Sequence, residues 1–339
     1  MTAAEKILQI DTLRVDSDRD GQSVPIVRDM SMNVAQGELF CLVGESGSGK
    51  SVSALALMGL VQRQKGIRVS GSVRYKDEEL ITGDIGRFAS IRGREFAMIF
   101  QDPMSSLDPV FRIDEQMKEA LRRREKLSAA QERERIAELL TLVGISDVDR
   151  CLRQYPHQLS GGMSQRVMIA MALACRPDVL IADEPTTALD VTIQAQILGL
   201  LNRLRHETGM TIVLITHDMG IAAQVADHVA VMYAGRVVEQ GTPEELFAQP
   251  QHPYTVGLLA SIPRLDGPKL DLLPAIPGGV PDPKSLPSGC AFHPRCPAAT
   301  ERCQREDPPL APVNGRPVAC WHAEHVAQHG ADFSESEHA

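Results

Sequence analysis

The sequence predicts an α/β protein built on a parallel sheet, with a Gly/Ser-rich loop after an early strand and a small Pro/Cys-rich appendix near its C-terminal end. Three observations carry this. The apolar run Glu38 to Val43 leads straight into a Gly/Ser loop, and apolar residues at helical spacing follow from Lys50 to Leu60. Two short β-branched runs, Asp178 to Glu184 and Thr211 to His217, have the pattern of buried parallel strands. Between Pro250 and Pro317 lie 15 of the chain's 22 prolines, a density that breaks long helices and suits a loop-rich segment.

The remaining elements follow in order. Val69 to Tyr75 reads as a more exposed strand, Glu95 to Gln101 as another, and Ala129 to Val143 as a helix. His228 to Gln240 reads as a hairpin turning at Ala234-Gly235. Strands that alternate with helices imply a parallel core. The composition shift after Gly241 places a domain boundary near residue 250, and the polar residues 326–339 are expected to be a disordered tail.

Composition narrows the function. Of 339 residues, 43% are hydrophobic and 23% charged, an ordinary globular balance. No run approaches the roughly 18 to 20 apolar residues that span a bilayer. Met1 to Ile10 lacks a basic n-region and an apolar h-region, so no signal peptide is expected and the chain should stay in the cytosol. The net charge of −9 argues against a nucleic-acid surface. Seven cysteines are present, and four of them, Cys290, Cys296, Cys303 and Cys320, cluster late in the chain. In a reducing compartment such a cluster reads as a metal or cluster site rather than a disulfide framework.

The chemistry starts at Gly44-Glu45-Ser46-Gly47-Ser48-Gly49-Lys50-Ser51, which fits G-x-x-x-x-G-K-[ST]. Its glycines let backbone N–H groups close around phosphate oxygens, Lys50 supplies charge to the β- and γ-phosphates, and the Ser51 hydroxyl can ligate Mg²⁺. The helix that follows aims its N-terminus at the anion. A second element, Val179 to Glu184, is an apolar strand ending in two carboxylates. Asp183 can hold Mg²⁺, and Glu184 can polarise an attacking water. Alone, such a pair could be a solvated acidic turn; the upstream phosphate loop favours the functional reading.

Leu159-Ser160-Gly161-Gly162-Met163-Ser164-Gln165-Arg166 resembles the signature motif of ATP-binding-cassette ATPases, and it lies just before the acidic strand as in that family. Further motifs keep the family's order. Gln101 resembles the glutamine that touches Mg²⁺ or water, Thr187-Ala188-Leu189-Asp190 resembles the D-loop, and His217 resembles the switch histidine. Taken alone, His217 would be a structural histidine. The resemblance covers about residues 5 to 250. It implies a P-loop NTPase-type nucleotide-binding domain with a helical lobe over about 102–170. It also implies a head-to-tail dimer with two ATP molecules, each capped by Ser160, Gly161, Gly162 and Gln165 of the opposite subunit. In one respect the chain departs from the family: Asp11 to Ser31 holds no aromatic residue to stack on adenine. An apolar side chain or a partner would have to take that place.

The segment Phe100 to Pro109, and then Gln251-His252-Pro253-Tyr254-Thr255 with Leu258 to Pro263, resemble the oligopeptide/dipeptide importer branch. That branch implies two transmembrane permease subunits, a second ATPase subunit (identical or different), an extracytoplasmic solute-binding protein, and a place on the cytoplasmic face of the membrane. Its members import oligopeptides, dipeptides, nickel complexes or glutathione. A soluble cassette ATPase acting on nucleic acid or ribosomes fits less well, because the chain has one cassette, no heptad run and an acidic charge. The C-terminal extension, 251–325, carries its cysteines as C-x5-C-x6-C-x16-C. Some branch members hold an iron–sulfur cluster in a tail like Cys290 to Pro297, and four thiolates suit a 4Fe–4S cubane. Zinc also takes four cysteines but usually shows a C-x₂₋₄-C knuckle, absent here; free thiols in a Pro-rich loop are the third alternative.

Overall fold

The computed structural model describes residues 5–19, 21–81, 85–186, 190–262 and 275–331. Its strands are β1 (Lys6–Arg19), β2 (Gln22–Ala35), β3 (Leu39–Val43), β4 (Ile67–Tyr75), β5 (Glu78–Glu79), β6 (Phe96–Ile99), β7 (Val179–Asp183), β8 (Thr211–Thr216), β9 (His228–Tyr233), β10 (Arg236–Gly241), β11 (Ala311–Val313) and β12 (Arg316–Val318). Its helices are α1 (Lys50–Leu57), α2 (Ile85–Ile91), α3 (Pro103–Ser106), α4 (Ile113–Arg122), α5 (Ala129–Leu142), α6 (Val148–Arg153), α7 (Gly161–Ala174), α8 (Val191–Thr208), α9 (Met219–Val225), α10 (Pro243–Ala248), α11 (Pro253–Ala260), α12 (Glu301–Arg305) and α13 (Ala323–His329). The chain forms two compact units, each drawn from three segments. One comprises Met1–Lys6, Ala35–Leu39 and Gly83–Ile215; the other comprises Ile7–Val34, Phe40–Thr82 and Thr216–Ala339.

In the first unit, β6, β7 and β8 pair in parallel, in the order β8–β7–β6. Every residue of these three strands is buried, so they read as continuous apolar runs rather than as alternation. The helices α3, α4 and α5 pack against α7, whose Val167, Met168, Ile169, Ala170 and Leu173 are all buried, and α6 packs on α4 and α5. Helix α5 starts at Ser128, whose hydroxyl accepts from the Gln131 N–H at 3.4 Å while Gln131 Oε1 accepts from the Ser128 N–H at 3.0 Å. A two-bond pair from Arg122 to Glu132, at 2.6 and 2.8 Å, ties α4 to α5.

In the second unit, β2–β1–β4–β5 form an antiparallel sheet. Strand β1 carries a bulge: its register with β4 shifts between Asp11 and Arg14, and Thr12 has φ 50°. The other sheet runs β11–β12–β10–β9 and on to β3, which pairs in parallel with β9 from Phe40 to Val43. The hairpin β9–β10 turns at Ala234 and Gly235, at φ 44° and 83°, the left-handed pair of a two-residue turn that matches strand twist.

The Pro-rich segment extends this sheet. Val318 pairs with Glu239, and the Ala319 N–H donates to the Val238 carbonyl at 2.8 Å. Of the tail 326–339 expected to be disordered, residues 326–329 end α13, and residues 332–339 lie outside the described residues. This helix buries Ala323 and Val326, which anchor a short and otherwise polar turn.

Candidate nucleotide site

The phosphate loop lies in the second unit, between the fully buried strand β3 and helix α1. Packing dictates its glycines. A Cβ on Gly44 would sit 2.2 Å from the Met232 carbonyl oxygen, so any side chain there would displace β9. Gly49, which precedes α1, has φ 102°, a conformation that other residues avoid. The hairpin turn buttresses the loop: the Gly235 N–H donates to the Ser48 carbonyl at 2.8 Å, and the Arg28 N–H donates to the Gly235 carbonyl at 2.7 Å. Strand β2 passes alongside, because the Ile26 carbonyl would lie 3.0 Å from a Cβ on Gly49.

Lys50 is buried at 5% exposure, and its Nζ donates to the carbonyls of Gly44 at 2.7 Å and Glu45 at 2.9 Å. The ammonium is therefore held by the loop it serves. Residues 251–325 supply two further grips on the loop. The Glu45 N–H donates to the Tyr254 hydroxyl at 2.8 Å, and the Arg295 guanidinium donates to both carboxylate oxygens of Glu45, at 2.7 and 3.0 Å. His217 follows β8 in this unit and is exposed. The next residue, Asp218, caps α9 by accepting from the N–H groups of Gly220 and Ile221 at 2.7 and 3.2 Å.

The carboxylates lie in the first unit. Asp183 ends β7 and is 5% exposed. Glu184 follows with φ 46°, a left-handed conformation that a non-glycine residue holds only when its surroundings impose it. Its N–H donates to the Ile215 carbonyl at 2.9 Å, and its Oε2 accepts from Gln101 Nε2 at 3.3 Å. Gln101 and Glu184 thus meet across 83 residues of sequence. In the signature segment, Ser160 caps α7 by accepting from the Met163 N–H at 3.4 Å. The buried Gln165 donates to the Pro185 carbonyl, which ties α7 to the chain just beyond Glu184. A Cβ on Gly161 or Gly162 would meet nothing within 4 Å, so no internal packing demands glycine there. Asp190 caps α8 by accepting from the Ile193 N–H at 2.9 Å, while Thr187, Ala188 and Leu189 lie outside the described residues.

The structure brings Cys290, Cys296, Cys303 and Cys320 to one pocket, which Pro253, Phe292, Ala298 and Trp321 also line. Burial pushes the Cys296 and Cys320 thiols up to about 12. The Cys290 N–H donates to the Cys303 carbonyl at 2.8 Å, and the His322 N–H reaches the Cys320 sulfur at 3.3 Å. Among the described residues no group of three or more His, Cys, Asp or Glu side chains is arranged to hold a metal ion. Tyr254 and Arg295 each lie in a segment that resembles the importer branch, but nothing in the sequence gives either one a role at the phosphate loop. Only the fold places them at Glu45.

Comparison with known proteins agrees with this layout. Residues 27–187 match the family described as ABC transporter, and residues 238–303 match the oligopeptide/dipeptide transporter C-terminal region. The oligopeptide transport ATP-binding protein AppD of Bacillus subtilis is 48% identical over 93% of this chain and 96% of its own length. The dipeptide transport ATP-binding protein DppD of the same organism is 47% identical over 96% and 97%. The dimeric ATP-binding cassette MJ0796, solved after hydrolysis with ADP and Pi, superposes with a TM-score of 0.63 at 27% identity, covering 70% of this chain and 98% of that one. The chain belongs to the ATP-binding-cassette transporter family, in the branch that carries the oligopeptide/dipeptide transporter C-terminal region. It is an ABC-type ATPase, and ATP with Mg²⁺ is the substrate expected of that class. Among the described residues no helix is long and apolar enough to cross a membrane.

Proposed function

We propose that this chain powers the uptake of di- and oligopeptides as the ATPase of a membrane importer. The observation that supports it most is the pairing of a complete cassette with a peptide-transporter-type extension that grips the phosphate loop at Glu45. In this reading the loop Gly44 to Ser51 binds the phosphates of ATP through its backbone N–H groups and Lys50. Mg²⁺, when bound, neutralises charge between phosphate oxygens, and Ser51, Asp183 and Gln101 are the residues that would hold it. The buried Asp183 and the hydroxyl of Ser51 are hard oxygen ligands of the right type. Glu184 takes a proton from water as its oxygen attacks the γ-phosphorus. The bond to the β-phosphate bridge breaks, and Lys50 and His217 stabilise the growing negative charge.

Ser160, Gly161, Gly162 and Gln165 complete the site of a second ATPase subunit. The open space over Gly161 and Gly162 suits an anion brought from outside the chain. Two permease subunits and a solute-binding protein complete the assembly, with this chain on the cytoplasmic face of the membrane. The cassette occupies residues 5–250, with its helical lobe over about 102–170, and the extension begins near residue 251. Closure of two cassettes on ATP drives the permeases by its differential affinity for two states.

We infer that Cys290, Cys296, Cys303 and Cys320 would hold a 4Fe–4S cluster and so staple a segment poor in apolar residues, a reading that four cysteines lining one pocket support. The C-x5-C-x6-C-x16-C spacing lacks the C-x₂₋₄-C knuckle usual for zinc, which favours the cluster over zinc.

The transport reading is tested in cells that lack the chain. Wild-type protein should restore uptake of labelled di- and oligopeptides, and Lys50→Ala should not. Peptide uptake that ignores the chain, with nickel or glutathione uptake depending on it, would overturn the peptide assignment.

A further inference from the structure

Every atom of the Glu45 peptide unit that can bond is occupied. Its N–H donates to the Tyr254 hydroxyl, and its carbonyl accepts from Lys50 Nζ at 2.9 Å and from the Ser48 N–H at 3.2 Å. Its carboxylate receives the two-bond fork of Arg295. The fork is itself fixed. Arg295 Nε donates to the Pro277 carbonyl at 2.7 Å, Nη2 to the Ile276 carbonyl at 3.3 Å, and Nη1 to the Tyr233 hydroxyl at 3.3 Å. Its side chain is 6% exposed, against 30% for that of Glu45. The guanidinium lies over Tyr233 and Phe292, at 5.7 and 5.9 Å from their ring centres, and these rings pack with Tyr254. A buried, fully bonded cation thus aims its two remaining donors at one residue of the phosphate loop.

We propose that Arg295 is a positioning residue for nucleotide binding. By clamping Glu45 it presets the carbonyl on which the Lys50 ammonium rests, and with it the loop N–H groups that meet phosphate. A loop held in its bound shape loses less entropy when ligand arrives. A bidentate guanidinium–carboxylate pair is both strong and geometrically selective, and a lysine cannot reproduce it. The proposal rests on the reading of Gly44 to Ser51 as the phosphate site. It adds that the C-terminal extension, through Arg295 and Tyr254, sets how tightly that site binds.

The test is a double-mutant cycle on the full chain, read as the dissociation constant for MgATP. Arg295→Ala and Glu45→Ala should each weaken binding by about tenfold, and the double variant by no more than about threefold beyond either single one. Arg295→Lys should recover only part of the loss. A purely structural arginine would lower the thermal midpoint, and its effect on affinity would multiply with that of Glu45→Ala; such multiplication overturns the proposal. Unchanged affinity in folded Arg295→Ala protein also overturns it. If that variant does not fold, Tyr254→Phe removes the acceptor for the Glu45 N–H and should raise the dissociation constant severalfold, with no change counting against the clamp. Failure of the wild-type chain to bind ATP would instead sink the phosphate-site reading beneath it.

Discussion

Glu184 concentrates the chemical question in one side chain. Its backbone is left-handed, its N–H is tied to Ile215, and its carboxylate meets Gln101. Such strain, of order 1–3 kcal/mol, persists where surrounding structure over-determines a residue, and it fixes where the carboxylate points. Glu184→Gln keeps the shape and the acceptor for Gln101 but cannot take a proton. Turnover measured as phosphate release should fall by about 10² to 10⁴ while ATP binding persists. Turnover within tenfold of wild type would remove Glu184 from the role of base. Gly44 poses the opposite kind of constraint, since its requirement is spatial and lies in the Met232 carbonyl.

Among elements, the short helix α11 carries Tyr254 to the loop. Its entry is held by Glu239 of β10, a fully buried carboxylate that accepts from the N–H groups of Gln251 at 2.8 Å and His252 at 3.0 Å. Burial raises the Glu239 pKa, and these hydrogen bonds work against that rise. Arg316 of β12 stands 3.6 Å away, also buried. Glu239→Gln would turn an amide N–H toward a backbone N–H and remove the counter-charge of Arg316. The expected loss is about 2–4 kcal/mol in chemical denaturation. A loss below about 0.5 kcal/mol would mean that the helix entry does not depend on this carboxylate.

The strands β3, β7 and β8 are legible in the sequence because burial on both faces makes them nearly unbroken apolar runs, and the hairpin turn because Ala234-Gly235 ends the apolar run of β9. The long strands β1 and β2 were not read. Strand β1 mixes charges with apolar residues, and its bulge at Thr12 breaks the alternation that would have marked it. Helix α13 was missed because two buried side chains, Ala323 and Val326, are its whole apolar face.

For the whole molecule, the phosphate loop could be read because its chemistry is written in eight consecutive residues. The clamp could not, since Glu45 and Arg295 are 250 positions apart and neither belongs to a periodic pattern. The four thiols stand between these cases: their spacing was visible, and their convergence on one pocket needed the fold. Anaerobic purification should give a coloured protein with about four iron atoms per chain, and Cys296→Ser should lose most of them. A colourless, iron-free, zinc-bearing protein would overturn the cluster.

The strand β12 has one more effect. Without it, the six residues of β10 would end the sheet of the second unit with an open row of backbone donors and acceptors. With it, the sheet ends in β11, a three-residue strand whose Pro312 faces Pro317 of β12. Proline has no N–H to offer, and so short an edge gives a second chain little to add to. The extension therefore leaves that edge short and blocked by proline, a poor template for edge-to-edge aggregation.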